Sequence, residues 1–297
     1  MIADAPPIAC QKLTRYYGKH VGIVDLDLRV EAGQVVGFLG PNGAGKTTTI
    51  RILMGLLRRT SGDATLFGVA VDNPESRRRV GFAPADPVFY PNLTGTQNLD
   101  LFAELQGNGA APDRAWAAEL LDLDPADLDR PVSEYSSGMR QKLVLVQAVQ
   151  HRPDLVLLDE PANRLDPIAH HRFEELVSEV ARSGRTVFLS SHTLPDVEAV
   201  CDAVAMVRDG RLFMTADVAD LSAAALRVVM LRYSQVPTRF PEALLDLEID
   251  GNEVRARLEG RRVDVLRELL TDPALEDILV EPAPLEETFL HLYEGES

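Results

Sequence analysis

The sequence is short of lysine, cysteine and long apolar runs, and each shortage removes a class of function. Of its 30 basic residues only Lys12, Lys19, Lys46 and Lys142 are lysines, and against 46 acidic residues the formal net charge is −16. That balance is the reverse of the basic footprint that general nucleic-acid binding requires. The two cysteines, Cys10 and Cys201, stand far apart and in no metal-ligand spacing such as CxxC. They read as two reduced thiols. No stretch approaches the ~20 consecutive apolar residues of a spanning helix. The most apolar runs, Leu143–Val149 and Leu155–Leu158, are broken by Gln147 and closed by Asp159. The first residues lack the basic start and apolar stretch of a secretory signal. The expectation is a cytosolic protein; if it works at a membrane, a partner supplies the membrane part.

What is present fits a folded core. The 297 residues are 45% hydrophobic and 26% charged, enough for one large domain or a large and a small one. Val35–Leu39 reads as a buried strand. A helix follows in which Ile50, Leu53, Met54 and Leu57 fall at i, i+3, i+4 and i+7, one apolar stripe. Further buried strands are expected at Leu155–Leu158, Thr186–Ser190 and Val204–Val207. Between the last two lies a helix turning Leu194, Val197 and Val200 or Cys201 inward. Strands alternating with helices indicate an α/β core on a mostly parallel sheet. Residues 86–152 read as mostly helical. The boundary is placed after residue 215, giving domains 1–215 and 216–297. The second reads as a small α+β unit, with strands at Leu226–Tyr233, Val254–Leu258 and Leu275–Val280 and helices at Arg261–Leu270 and Leu285–Leu292.

Between the first strand and its helix stands Gly40-Pro41-Asn42-Gly43-Ala44-Gly45-Lys46-Thr47, a full GxxxxGK[ST] match. Glycines let the backbone curl until several N–H groups face one anion, and the helix that follows points its positive end at the same place. Lys46 is expected to reach the β- and γ-phosphates of a nucleotide and Thr47 to offer its hydroxyl to Mg²⁺. The strand Leu155–Leu158 ends in Asp159-Glu160. Ligands of parallel sheets sit at the carboxyl ends of strands. Asp159 would therefore face the Mg²⁺ held by Thr47, and Glu160 the attacking water, as its general base.

With these residues in hand the chain resembles the ATP-hydrolysing subunits of ATP-binding-cassette (ABC) transporters. Tyr135-Ser136-Ser137-Gly138-Met139-Arg140-Gln141-Lys142 looks like the family signature in its YSxGMRQ form. Ser136 and the Gly138 backbone lie at a helix N-terminus, which suits an anion. In the family this segment binds the ATP held by the other subunit, so Ser136, Ser137, Gly138 and Met139 join the site by resemblance. Tyr17, with Tyr16 beside it, matches the aromatic that stacks on adenine. Thr48 extends the phosphate loop. Asp166, in Asn163-Arg164-Leu165-Asp166, belongs to the loop that crosses the dimer interface. His192 matches the histidine at the γ-phosphate.

The resemblance covers residues 8–214. It implies a P-loop cassette with an antiparallel β part and a helical subdomain, ATP and Mg²⁺ as ligands, and a second copy of the cassette. It also implies a polytopic permease and a place on the cytoplasmic face of the cell membrane.

Two positions depart from the family pattern. Ala85 stands where the family has Gln, and Asp86 beside it is the substitute candidate for Mg²⁺, through a water. Arg164 replaces a small residue, and its guanidinium could pair with a carboxylate across the dimer or could weaken closure. The signature variant and the ending Pro284-Leu285-Glu286-Glu287-Thr288-Phe289-Leu290 resemble ABC-2-type exporters. The competing readings are an importer ATPase and a soluble ABC ATPase with no transporter.

Overall fold

The computed structural model describes residues 5–106, 109–220, 226–260 and 262–283. The chain divides into two compact units, Met1–Ala216 and Asp217–Ser297.

The first unit is built on a six-stranded sheet. The strand Val35–Leu39 runs between Thr186–Ser191 and Ala203–Arg208, and Leu155–Leu158 between Thr186–Ser191 and Val80–Ala83. These pairings are all parallel. Such strands are covered by crossovers on both faces and therefore read as unbroken apolar runs. Every residue of Val35–Leu39 and of Leu155–Leu158 is buried. The register aligns Leu39 with Ser191, Leu158 with Leu189 and Ala83 with Leu158. The chain segments that follow Leu39, Ala83, Leu158 and Ser191 thus all leave the sheet at the carboxyl ends of its strands. Those segments carry Lys46, Asp86, Glu160 and His192.

A second, antiparallel sheet carries His20–Val30, Ile8–Tyr17, Ser61–Leu66 and Val69–Ala70. Its Ile8, Cys10, Leu13, Ile23 and Leu26 share one core with Phe38 and Ile50. The helical part comprises Gly95–Leu105, Arg114–Leu120, Pro125–Leu128 and Ser137–Val149. Thr94 and Gln97 form a capping box at the first of these. The helix after the phosphate-loop motif runs Lys46–Leu53, shorter than the apolar stripe predicts. Gly55 adopts φ 65°, and the N–H groups of Leu56 and Leu57 return to the Arg51 carbonyl, which closes the helix before Leu57.

In the second unit the strands Leu244–Asp250, Glu253–Glu259, Leu226–Tyr233 and Leu275–Pro282 form an antiparallel sheet in that order. The helix Val263–Leu270 buries Val265 and Leu269 in a cluster with Val229, Leu231 and Tyr233. The strand Leu244–Asp250 was not expected. It forms a sheet edge and only Leu244 of it is buried, so it lacks the apolar signal. The segment expected as helix Leu285–Leu292 lies outside the described residues.

Burial of Cys10 pushes its thiol up to about 12, with the Asp27 charge adding to the effect. Reaction needs the thiolate. At pH 8, native Cys10 should therefore react with an aromatic disulfide about a thousandfold more slowly than an unperturbed thiol. The rate should recover once the chain is unfolded. The absorbance of the released thiolate reads both rates, and brisk native labelling of Cys10 would contradict its placement.

Candidate active site

The motif loop joins the end of Val35–Leu39 to the helix Lys46–Leu53. Gly45 caps that helix in a left-handed conformation, φ 104°. A Cβ there would stand 2.6 Å from the Gly22 carbonyl oxygen, so only glycine lets the loop close against the neighbouring strand. Ala44 turns its side chain into the core, and the Gly210 N–H donates to its carbonyl at 3.2 Å. Asn42 and Gly43 are exposed.

Lys46 is only 4% exposed. Its Nζ donates to the carbonyls of Gly40 at 2.7 Å and Pro41 at 3.1 Å, folding the ammonium over its own loop. The same nitrogen lies 3.4 Å from Glu160 Oε1. Burial lowers the lysine's pKa, and the Glu160 carboxylate opposes that shift.

Thr47 Oγ1 donates to Asp159 Oδ1 at 3.1 Å, and Ser190 Oγ donates to the same oxygen at 2.8 Å. Burial raises the Asp159 pKa, while the two hydroxyl hydrogen bonds favour its charged form. A hydroxyl and a carboxylate side by side are hard oxygen donors. They suit Mg²⁺, which takes one or two protein ligands and fills its shell with phosphate and water. Among the described residues no group of three or more His, Cys, Asp or Glu side chains has the geometry of a metal cage.

Glu160 holds φ 48°, a conformation uncommon outside glycine. Its N–H donates to Ser190 Oγ at 2.9 Å, and its Oε2 accepts from Asn163 Nδ2 at 2.5 Å. His192 Nδ1 lies 3.5 Å from that oxygen. Beside these groups opens a cavity of ≈ 270 Å³, bordered by Tyr17, Gly43, Lys46, Thr47, Thr48 and Glu160. Tyr17, rather than Tyr16, reaches it; its hydroxyl is 3.3 Å from Thr48 Oγ1.

The remaining candidates stand apart from that cavity. Ser136 caps the helix Ser137–Val149, its hydroxyl accepting the Met139 N–H at 3.1 Å. Ser136, Ser137, Gly138 and Met139 do not line the cavity, and neither does Asp166. The Asp166 carboxylate caps the helix Pro167–Arg182, accepting the N–H groups of Ile168 and Ala169.

Asp86, the candidate for Mg²⁺ through a water, accepts Arg164 Nη2 at 2.6 Å, is 78% exposed and borders one cavity with Asp159. Neither Thr47 nor Asp159 hydrogen-bonds it directly, and the Arg164 guanidinium is engaged within the chain. Two residues escaped the sequence reading. Ser190 grips Asp159 and Glu160 together, and its signal was a hydroxyl at the end of an apolar strand. Asn163 contacts Glu160, and spacing alone gave no sign of it.

The family model described as ABC transporter matches residues 23–163. The bacitracin transport ATP-binding protein BcrA of Bacillus licheniformis is 38% identical over 67% of this chain and 66% of its own length. The Nod factor export ATP-binding protein I of Burkholderia orbicola is 32% identical over 96% of both chains. Other curated relatives are spanned over 62% and 56% of their length. The solved ATP-binding subunit of an ABC transporter superposes with a TM-score of 0.67 at 31% identity, covering 72% of this chain and 91% of that one. Motif, fold and likeness agree, and the chain belongs to the ABC transporter family, among its ATP-binding proteins.

Proposed function

We propose that the chain binds Mg-ATP in the cavity beside Lys46 and hydrolyses it as the ATP-binding subunit of an exporter. The observation that carries this reading is convergence. Lys46 and Thr47 from one strand end meet Glu160 at 3.4 Å and Asp159 at 3.1 Å from another. A buried ammonium, a hydroxyl and two carboxylates at one point form a constellation for a metal-bound triphosphate.

In this reading the Gly40–Gly45 backbone and Thr48 bind the phosphates, and Tyr17 takes the adenine. Lys46 turns from its own carbonyls to the β- and γ-phosphate oxygens. Thr47 and Asp159 hold Mg²⁺, which supplies charge neutralisation on those oxygens. Glu160 takes a proton from the attacking water. The water oxygen bonds to the γ-phosphorus, the bond to the β–γ bridging oxygen breaks, and ADP and phosphate leave. His192 is placed to contact the γ-phosphate.

Ser136, Ser137, Gly138 and Met139 offer a capped helix N-terminus away from this cavity, which suits the nucleotide of a second copy. Asp166 stands in the loop facing that copy. Residues 1–215 are the ATPase part and 216–297 an accessory domain. No helix among the described residues is long and apolar enough to cross a membrane. A polytopic permease therefore supplies the pathway, with this chain at its cytoplasmic face. The name of the bacitracin relative supports transport, and that of the Nod factor relative favours export.

The test is phosphate release by the purified chain with Mg²⁺, repeated after chelation, together with affinity capture from detergent-solubilised membranes. Chelation should lower turnover at least about a hundredfold. The capture should recover a protein with several spans. Turnover indifferent to chelation would remove the metal from the site, and recovery of nucleic acid in place of a membrane protein would remove the transport reading.

A further inference from the structure

The loop 160–166 is held from several sides. Gln141, buried in the helix Ser137–Val149, donates its Nε2 to the Pro161 carbonyl at 3.0 Å. Asn163 donates to Glu160 Oε2 at 2.5 Å. Arg164 has φ 72°, and a Cβ on Gly138 would stand 3.5 Å from its carbonyl oxygen. Non-glycine residues keep such a conformation only where surrounding contacts fix it. One contact of this segment is long-range. The Arg164 guanidinium reaches Asp86, 78 residues away, in the segment that leaves the sheet after Val80–Ala83. That strand pairs with Leu155–Leu158, whose end carries Glu160. The ion pair thus straps together two loops that leave neighbouring strands, and Asn163 sits immediately before the buckle.

Glu160 itself has few ways to stay aimed. It occupies a left-handed backbone conformation, and its carboxylate stands between Lys46, Asn163 and His192. When Lys46 turns to phosphate, one of these restraints is withdrawn, and the Asn163 amide becomes the donor that keeps Oε2 in place. An amide donating to a carboxylate is a charge-assisted hydrogen bond, strong enough to choose a rotamer.

We propose that Asn163 is a positioning residue for Glu160, and that the Arg164–Asp86 ion pair holds Asn163 in the conformation that makes the contact. The inference rests on the reading of Glu160 as the general base. It gives Ala85-Asp86 a role that needs no metal: Asp86 orients the base from a distance through the loop.

The test measures kcat, KM for ATP and melting temperature for five variants. Asn163→Ala should lower kcat about tenfold with KM and melting temperature unchanged, because it removes a hydrogen bond to a charged group and touches no phosphate contact. Asp86→Asn and Arg164→Gln should each lower kcat about three- to fivefold, the scale of an exposed ion pair. The double variant D86N/R164Q should be no slower than either single, because both remove the same contact. The charge swap D86R/R164D should recover most of the loss.

Glu160→Gln, measured in parallel, separates this proposal from the reading beneath it. A silenced Glu160→Gln with wild-type kcat in Asn163→Ala overturns the positioning role and leaves the base assignment standing. Full turnover in Glu160→Gln removes the base and this proposal with it. Additive losses in D86N/R164Q, or a swap no faster than the singles, overturn the part assigned to the ion pair. A rise in KM matching the fall in kcat assigns Asn163 to nucleotide binding instead.

Discussion

Glu160→Gln is expected to bind ATP with near wild-type affinity while losing turnover by about a hundredfold or more, the usual contribution of a positioned general base. The substitution keeps the side chain's length and shape. The amide oxygen still accepts from Asn163, and the Glu160 N–H still donates to Ser190 Oγ, a contact that does not involve the side chain at all. What disappears is the negative charge 3.4 Å from Lys46 and the basicity next to the cavity. In the proposed function binding is governed by the loop, Lys46 and the residues assigned to Mg²⁺, none of which is changed. Calorimetry for affinity and phosphate release for turnover separate the two quantities. An arrested enzyme also holds its ATP, so the variant should accumulate as a nucleotide-bound dimer on gel filtration. Wild-type turnover would show that another group accepts the water's proton.

The second large effect is on affinity. Lys46→Ala should weaken ATP binding by roughly a hundredfold. A buried ammonium making charge-assisted hydrogen bonds contributes about 1.5–3 kcal/mol for each phosphate contact. The nucleotide-free protein should melt at nearly the wild-type temperature, because the lysine's own burial is unfavourable to its charge and offsets its bonds to Gly40 and Pro41. The clear difference is in linkage. Ligand stabilises the fold by RT ln(1 + [L]/Kd), so millimolar Mg-ATP should raise the wild-type melting temperature and leave that of the variant almost unmoved. An equal rise in both proteins would count against the phosphate-loop assignment.

Much of this site was legible before any coordinates, for a definable reason. The phosphate loop is local. Its glycines, lysine and threonine act within one turn of chain between a strand and a helix, so spacing records the geometry. The parallel strands were legible because burial on both faces leaves unbroken apolar runs such as Val35–Leu39 and Leu155–Leu158. Three features were not. The helix Lys46–Leu53 stops at a backbone turn through Gly55, while the apolar stripe continues past it. The strand Leu244–Asp250 lies at a sheet edge and shows solvent most of its side chains. Asp86 and Arg164 meet only because the strands preceding their loops, Val80–Ala83 and Leu155–Leu158, pair in the sheet, and no local pattern encodes that neighbour relation.

Ser190 ties two consecutive residues with one atom. It donates to the Asp159 carboxylate and accepts from the Glu160 amide, in a site with no solvent exposure. Alanine there releases both residues together. Asp159 and Glu160 therefore cannot be adjusted separately through this strand, and any variant that retunes one of them must find its freedom elsewhere in the chain.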